Sequence, residues 1–308
     1  MKTLHTHAVL LLALGVLLAT ASSCGGDEDP AMGQVSVQMT DAPGDFVTAV
    51  VTIDEIYLQG SGGRTVLSNH SVTTNLLTLA NDTVTLVDHV HVEEGSYSQL
   101  RFVISGAYIE VENEEGGTTI YATDPDYAGL PDGVTADGEL QTPSFDTSGV
   151  KVKLDGDTFH VDGEHSIILV DFDVAQSFGK AAGNSGRWVM KPVIKGANIE
   201  LSANLTVRVT PGDDMVFPVV DGAPLQLGAL EVVLTNENGD PEALSLLDAD
   251  ADGTFEATFR YLLPGSFEVT LRYDEEAQVT TLPASPVSVA LPSGADESVS
   301  LELLLLEL

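Results

Sequence analysis

Apolar and polar residues alternate along most of the chain, which predicts β-strands with one buried face. The first clear example is QVSVQMT at residues 34–40, where every second residue is apolar. The turn-forming sequence DAPGD follows at residues 41–45, and residues 50–58 are rich in the branched residues that favour strands. We interpret this stretch as two strands joined by a turn, with cation binding by Asp41 and Asp45 as the alternative.

Composition supports the same fold class along the whole chain. The 308 residues include 29 glycines and 14 prolines, and many short runs of branched residues lie between them. Beyond the N-terminal segment, no stretch repeats its apolar residues with the spacing of a helix. We therefore predict an all-β protein with two consecutive β-sandwich domains, residues 34–201 and 202–308. The single cysteine excludes an internal disulfide, so both domains depend on apolar burial.

The N-terminus has the pattern of an export signal. A basic start is followed by an apolar run at residues 8–18, which is shorter than the roughly 20 residues of a membrane-spanning helix. The small residues before Cys24, in ASSC, resemble the bacterial lipobox. That resemblance implies removal of residues 1–23 as a signal peptide and lipidation of Cys24, whose acyl chains would anchor the protein in a membrane. The alternative is ordinary secretory cleavage that leaves Cys24 free.

A short acidic tether is predicted at residues 24–33, where two glycines precede DED and a proline. An acidic cluster just after the lipidated cysteine resembles the surface-export signals of some bacterial lipoproteins, although a plain linker has the same composition. We expect an exported protein that is lipid-anchored in the bacterial cell envelope, with the outer membrane or cell surface favoured.

The formal net charge of −35 limits the classes of partner. An acidic surface repels phosphate backbones, so we exclude nucleic acid as a ligand. The same charge keeps a protein soluble, or binds calcium where carboxylates are concentrated. Apart from the lipid anchor, the charge predicts no contact with anionic membranes.

Five ordered segments carry a more specific resemblance. They are VSVQMTDAPGDFVTAVVTIDEIYL (35–58), TTNLLTL (73–79), EGSYSQLRFVI (94–104), SGVKVKL (148–154) and the stretch from ILVDFDVAQSF to WVMKPVI (168–194). Together they resemble the domain of unknown function 4382 family of bacterial lipoproteins. The resemblance implies a β-sandwich on a secreted or lipid-anchored protein, and it implies no activity.

The C-terminal part resembles a different kind of module. Its strand-like runs are joined by Asn-Gly and Asp-Gly turns, as in LEVVLTNENGD and DADADGTFEATFRYLLPGSFEVTLRY. This order is similar to that of carboxypeptidase-regulatory-like, prealbumin-type domains. Such domains are accessory folds, so the resemblance implies no peptidase chemistry.

Two groups of carboxylates are candidate calcium ligands. Asp171 and Asp173 lie about 7 Å apart on one face of a predicted strand, where ion pairing with lysines is the alternative. The sequence DADADG places Asp248, Asp250 and Asp252 at the spacing that opens a calcium loop. The twelfth position of that loop should be Glu and is Phe259, so a plain hairpin turn is the alternative.

The long segment between residues 112 and 149 is the first place where we expect a ligand, because long loops in compact domains tend to be functional. Tyr121 and Tyr127 could stack on a sugar, and Asp124 and Asp126 could bind calcium. An unligated surface loop is the alternative.

The sequence contains no usable nucleophile or metalloprotease motif, so we predict a protein that is not an enzyme. The predicted function is a non-catalytic binding or structural module for a carbohydrate or protein partner, with no cofactor other than possible calcium. Two alternatives stay open. One is a calcium-dependent adhesion or assembly protein, and the other is a hydrolase with an unfamiliar site.

Overall fold

β-Strands make up nearly all of the regular structure, so the all-β prediction is confirmed. The computed structural model describes residues 30–306 except for 43–45, 114, 143–148, 155–157, 181–186, 214, 221 and 275–276. Cys24, Asp45 and the predicted leader lie outside the described residues. Within the described part, no helix is long and apolar enough to cross a membrane.

The N-terminal half of the described chain contains fourteen strands. They are β1 (Met32–Ala42), β2 (Thr48–Gly60), β3 (Gly63–Ser68), β4 (Val72–Asn75), β5 (Val84–Glu93), β6 (Gly95–Glu112), β7 (Thr118–Ala122), β8 (Gly138–Gln141), β9 (Val150–Leu154), β10 (Phe159–Val161), β11 (His165–Asp173), β12 (Phe178–Lys180), β13 (Trp188–Met190) and β14 (Ile194–Asn198). The short helix α1 (Val174–Ser177) follows β11, and 3₁₀ turns lie at Leu76–Leu79 and Ile199–Leu201.

The described residues of the C-terminal half contain ten strands. They are β15 (Ala203–Pro211), β16 (Val219–Val220), β17 (Ala223–Pro224), β18 (Glu231–Asn236), β19 (Pro241–Ser245), β20 (Phe255–Leu262), β21 (Gly265–Arg272), β22 (Val279–Leu282), β23 (Val287–Leu291) and β24 (Asp296–Leu305). One 3₁₀ turn lies at Leu227–Ala229.

The long strand β6 organises the N-terminal half. It pairs with β2 along nearly its whole length, while β10, β9 and β7 pair in turn with successive parts of its other edge. From β9 the sheet continues through β14, β11 and β1 to β5. Apolar side chains at alternate positions of these strands share one core, in which Phe102 and Phe172 are fully buried.

The C-terminal half is a sandwich of two four-stranded sheets. One sheet has the order β20-β15-β24-β22, and the other has the order β19-β18-β21-β23. Both sheets contribute to a second core, which includes Val207 and Leu301 from the first sheet and Val232 and Val269 from the second. Residues 31–308 nevertheless pack as one compact unit, so the domain boundary after Leu201 stays a prediction.

Candidate functional site

A cavity of about 430 Å³ lies where the two halves of the chain meet. We call it the junction cavity. From the N-terminal half it is lined by Thr40, Asp41, Asn81, Lys153, Leu154, Asp171, Lys195, Gly196 and Ala197. From the C-terminal half it is lined by Leu234, Asn236, Glu237, Asn238, Asp240, Pro241, Glu242 and residues 260–267. Its volume falls within the range of about 300–1,000 Å³ that is typical of ligand sites.

A row of four residues crosses the sheet beside this cavity. Lys153 on β9 lies in register with Lys195 on β14, Lys195 with Asp171 on β11, and Asp171 with Thr40 on β1. Residues in register on neighbouring strands point to the same face of a sheet, about 4.8 Å apart. The row therefore presents two basic groups, one acidic group and one hydroxyl to the cavity in that order.

Asp41 is the most unusual group in the lining. Its side chain is 4% exposed, and neither carboxylate oxygen has a hydrogen bond of normal geometry. Burial raises the pKa of Asp41 well above its ordinary value, and the negative charges of Asp171, Asp173 and Glu242 raise it further. The nearby backbone N–H of Val174 opposes this rise without reversing it. Asp41 is thus a buried carboxyl group whose pKa is raised by burial and by neighbouring negative charge.

Glu242 on β19 belongs to the same environment. Its Oε1 is buried without a hydrogen-bond partner, and burial raises its pKa to about 7, with a further contribution from the charge of Asp171. The negative charge of Asp171 raises the pKa of both Asp41 and Glu242. All three residues belong to the lining of the junction cavity.

Asp171 and Asp173 were predicted to act together, and the structure gives them different environments. Asp171 lines the cavity, whereas Asp173 is fully buried and caps α1, where its Oδ1 accepts the backbone N–H of Gln176 at 3.0 Å. The Gln176 amide also donates to Oδ2 of Asp173 and, at 3.0 Å, to Oδ2 of Asp240 in the C-terminal half. Lys195 Nζ lies 4.0 Å from Oδ2 of Asp173. Burial is the main reason that the pKa of Asp173 is raised.

The carboxylate oxygens of Asp248, Asp250 and Asp252 lie within 4.8 Å of one another, in an exposed loop. Asp248 accepts the backbone N–H groups of Asp252 at 3.1 Å and of Gly253 at 3.2 Å. Phe259, at the position where a calcium loop has Glu, is fully buried in the C-terminal core. The loop therefore brings three carboxylates close together and also has the hydrogen bonds of an ordinary turn.

The predicted ligand residues of the long loop pack against the protein. Tyr127 lies over Gly106, and its hydroxyl forms a hydrogen bond with the Thr52 hydroxyl. The ring of Tyr121 lies 6.0 Å from the ring of Trp188. Neither tyrosine lines the junction cavity.

Asp124 and Asp126 are both exposed in this loop. Asp124 Oδ1 accepts the backbone N–H of Asp126 at 2.9 Å, as in a turn closed by a side chain. Among the described residues, no third carboxylate joins them in a group with metal-binding spacing.

One pair resembles a nucleophile and its base. Ser36 Oγ lies 2.9 Å from Nε2 of His165. The serine is only 3% exposed, and its oxygen also accepts the backbone N–H of His89 at 2.9 Å. A hydroxyl that is enclosed in this way is not presented to a substrate, so the pair does not support a hydrolase.

Sequence reasoning flagged Asp41 and Asp171 but missed Glu242 and Lys153, which share the cavity with them. Glu242 lies in the short run PEALS, and Lys153 lies in VKVKL, where polar residues alternate as in any exposed strand. Neither pattern distinguishes these positions locally. Only their spatial neighbours mark them as site residues.

Comparison with solved structures gives distant similarities. The chain is 10% identical to a leucine-rich repeat protein from Bacteroides thetaiotaomicron, with 90% of this chain and 27% of that chain covered and a TM-score of 0.21. It is 11% identical to a minor pilin of Streptococcus agalactiae, with 89% and 97% covered and a TM-score of 0.25. It is 9% identical to a putative cell adhesion protein from Bacteroides fragilis, with 88% and 92% covered and a TM-score of 0.21.

These similarities are too low to carry an inference about function, and the chain spans only about a quarter of the length of the leucine-rich repeat protein. No curated protein sequence matches the chain significantly. A protein-family comparison is decisive instead, because the model described as a domain of unknown function (DUF4382) matches residues 32–192, just over half of the chain. The chain therefore belongs to the DUF4382 family.

Proposed function

We propose that this protein is an exported, lipid-anchored, non-catalytic binding module of the bacterial cell envelope. The export pattern of residues 1–23 and the cysteine at position 24 support the anchoring. The acidic composition supports a soluble surface, and the acidic cluster just after Cys24 supports a location in the outer membrane or at the cell surface. The enclosed Ser36 hydroxyl supports a role without catalysis.

The ligand, a carbohydrate or part of a protein, occupies the junction cavity. The observation that carries this proposal is a cavity of ligand size whose lining includes the side chains of Lys153, Asp171 and Glu242, with Oε1 of Glu242 buried without a hydrogen-bond partner. Buried polar groups in proteins are nearly always satisfied, and one that lines a concave site commonly serves a ligand. The amides of Asn236 and Asn238 add further hydrogen-bonding groups to the lining.

A blocking variant tests this assignment. Ser266 is exposed and lines the cavity, so it lies at the rim, where Ser266→Trp would fill the entrance. Ser300 on β24 is also exposed and lies outside the lining, so Ser300→Trp is the matched control. We expect a compound found in a thermal-shift screen of glycans and peptides to stabilise the wild type and S300W but not S266W. A compound that stabilises S266W equally would place its site elsewhere.

We further propose that residues 202–308 are a carboxypeptidase-regulatory-like accessory domain. The sandwich of two four-stranded sheets around one core supports this assignment. The test is expression of residues 202–308 alone, for which we expect cooperative unfolding and dispersed amide resonances. A fragment that stays unfolded would contradict an independent domain.

Calcium-dependent adhesion or assembly is a second candidate function, favoured by the proximity of the Asp248, Asp250 and Asp252 oxygens. Its test is a thermal melt with calcium and then with chelator. Calcium should raise the melting temperature of the wild type and of Asp213→Asn, an exposed control, but not of Asp250→Asn. Equal melting curves with calcium and with chelator would rule this function out.

A further inference from the structure

Three histidines lie on one exposed face at the edge of the N-terminal sheet. Gln34 on β1 is in register with His165 on β11 and with His91 on β5, so these three side chains point to the same face. His89 also reaches this face, because its ring stacks on the ring of His165 with the two centroids 4.0 Å apart. We call His89, His91 and His165 the histidine cluster.

A β-bulge in β5 brings His89 to His165. The pairing of β1 with β5 shifts register here and leaves Asp88 and His89 together opposite Ser36. His89 has a φ of +48°, and its backbone N–H donates to Oγ of Ser36 at 2.9 Å. A left-handed backbone is uncommon outside glycine, and it is frequent where a functional side chain is held in place. The bulge therefore holds the His89 ring against the ring of His165.

Hydrogen bonds orient the two stacked rings. The Asp88 carboxylate accepts the Nδ1–H of His89 at 2.5 Å, so Nε2 of the neutral ring carries the lone pair. Oγ of Ser36 lies 2.9 Å from Nε2 of His165, and its two lone pairs can accept this N–H as well as the backbone N–H of His89. That arrangement leaves Nδ1 of His165 for a ligand. Histidines that bind metals are held in the same way, by a hydrogen bond on the other ring nitrogen.

His91 offers a third nitrogen. The Gln34 amide donates to Nε2 of His91 at 3.3 Å, so the lone pair of that ring points toward β1. The three rings do not converge as they stand, since within the described part of the chain only the loop of Asp248–Asp252 brings three candidate ligand atoms within 4.8 Å of one another. Exposed side chains change rotamer within nanoseconds, so a bound metal can draw the rings together.

Imidazole nitrogens select one class of metal. Copper(II), nickel(II) and zinc(II) bind imidazole, whereas calcium and magnesium take oxygen ligands. Copper(II) forms the strongest complexes of these divalent ions with nitrogen ligands, and the net charge of −35 attracts cations to the surface. We propose that the histidine cluster binds a divalent transition metal, copper(II) most tightly, through His89 and His165 with His91 as a third ligand. The site goes beyond the proposed function, because no member of the cluster lines the junction cavity.

Copper(II) titration followed by electron paramagnetic resonance tests the proposal. The protein is the full chain with His5→Asn, His7→Asn and Cys24→Ser, which removes competing metal ligands near the N-terminus. We expect copper(II) to bind with nitrogen hyperfine coupling from more than one imidazole, and excess calcium not to displace it. A copper spectrum without nitrogen coupling would overturn the proposal.

Two further substitutions in this chain assign the ligands. His165→Asn removes one ring, and His89→Asn removes the other while keeping a residue that adopts the left-handed backbone readily. Each should weaken copper binding by at least about tenfold, since loss of an outer hydrogen-bond partner alone weakens metal binding by about 10–100-fold. His70→Asn, at an exposed position between β3 and β4, is the matched control and should not change the affinity. Variants H89N and H165N that are folded by circular dichroism and keep full copper affinity would contradict the proposal.

Two variants at other sites distinguish this proposal from the proposed functions. Ser266→Trp fills the entrance of the junction cavity, and Asp250→Asn changes the exposed carboxylate loop. Neither should alter copper binding, because the histidine cluster lies outside both. Loss of copper binding in S266W or D250N, with H89N unaffected, would place the metal there and make the proposal wrong. Failure of copper to bind would end this proposal and leave the binding role of the junction cavity to its own test with glycans and peptides.

Discussion

Asn81 joins the two halves of the chain through the backbone of Arg260, whose N–H donates to Oδ1 of Asn81 at 2.6 Å. The Nδ2 of the same side chain donates to the Thr258 carbonyl at 2.9 Å. Asn81 has a φ of +58°, a left-handed conformation that asparagine adopts more readily than most residues. Because Asn81 and Arg260 both line the junction cavity, this contact helps to set the position of its walls.

Replacing Asn81 with Ala should destabilise the protein. The change removes both hydrogen bonds to β20 and leaves its backbone groups to find other partners, so we expect a loss of about 1–3 kcal/mol in the free energy of unfolding. Urea denaturation measures the loss. Asn69→Ala, at an exposed position, is the matched control and should change stability by less than about 0.5 kcal/mol. Similar losses in both variants would show that the contact with β20 is not stabilising.

Glu242 should make stability depend on pH. Its pKa rises from 4.5 in the unfolded chain to about 7 in the folded protein, so the folded state holds this proton more tightly. The resulting contribution is complete below pH 4.5 and is lost as the pH rises to about 7. The difference in pKa corresponds to roughly 3 kcal/mol in the free energy of unfolding.

Glu242→Gln isolates this contribution, since glutamine does not titrate. We expect the wild type to lose more unfolding free energy than E242Q between pH 4.5 and pH 8, as measured in urea. Exposed Glu237→Gln should behave like the wild type. If E242Q and the wild type have parallel pH profiles, Glu242 does not hold its proton in the folded state.

Asp173 should stabilise the protein mainly as a hydrogen-bond acceptor. It is fully buried, accepts the N–H of Gln176 as the cap of α1, and has a raised pKa because of burial. Asp173→Ala removes the acceptor and should cost about 1–2 kcal/mol of unfolding free energy, whereas Asp173→Asn keeps an acceptor and should cost less. Chemical denaturation of the two variants measures both losses in unfolding free energy. Equal losses would instead make the negative charge the important property.

Gly106 should be required for stability, because the ring of Tyr127 packs directly against it. A Cβ at this position would lie 2.3 Å from Cε2 of Tyr127, so Gly106→Ala must displace the ring and break its contact with Thr52. We expect a loss of about 1–3 kcal/mol in unfolding free energy and faster proteolysis of the loop around Tyr127. Gly62→Ala, where no atom lies within 4 Å of the added Cβ, is the control. The loss should shrink in the Gly106→Ala, Tyr127→Ala double variant, because the clash is then absent.

Several local features could be predicted because their causes are local. Alternation of apolar and polar residues predicted β1, since successive side chains of a strand point to opposite faces, and the branched residues at 50–58 predicted β2. The absence of Glu at the twelfth position of the DADADG loop argued for a turn, and the Phe259 that stands there is buried in the core. The segments that resembled the DUF4382 family lie largely in the part of the chain that its model matches.

The different roles of Asp171 and Asp173 could not be predicted from the sequence. Their i, i+2 spacing predicts a shared face, and it says nothing of what faces them. Asp173 ends its strand, caps α1 and meets Gln176, whereas Asp171 lies in register with Lys195 and faces the cavity. Partners from distant parts of the chain distinguish the two carboxylates.

The sequence by itself determined the strand content, the turns, the acidic surface and membership of the family, because each follows from short-range pattern or composition. Only the tertiary structure decided the junction cavity. Lys153, Glu242 and Asp41 come from distant positions in the chain to line one cavity. Strand pairing and the contact of Asn81 with β20 hold the two halves together there. The physical reason is that a side chain's electrostatic environment depends on neighbours in space, and no local pattern records those neighbours.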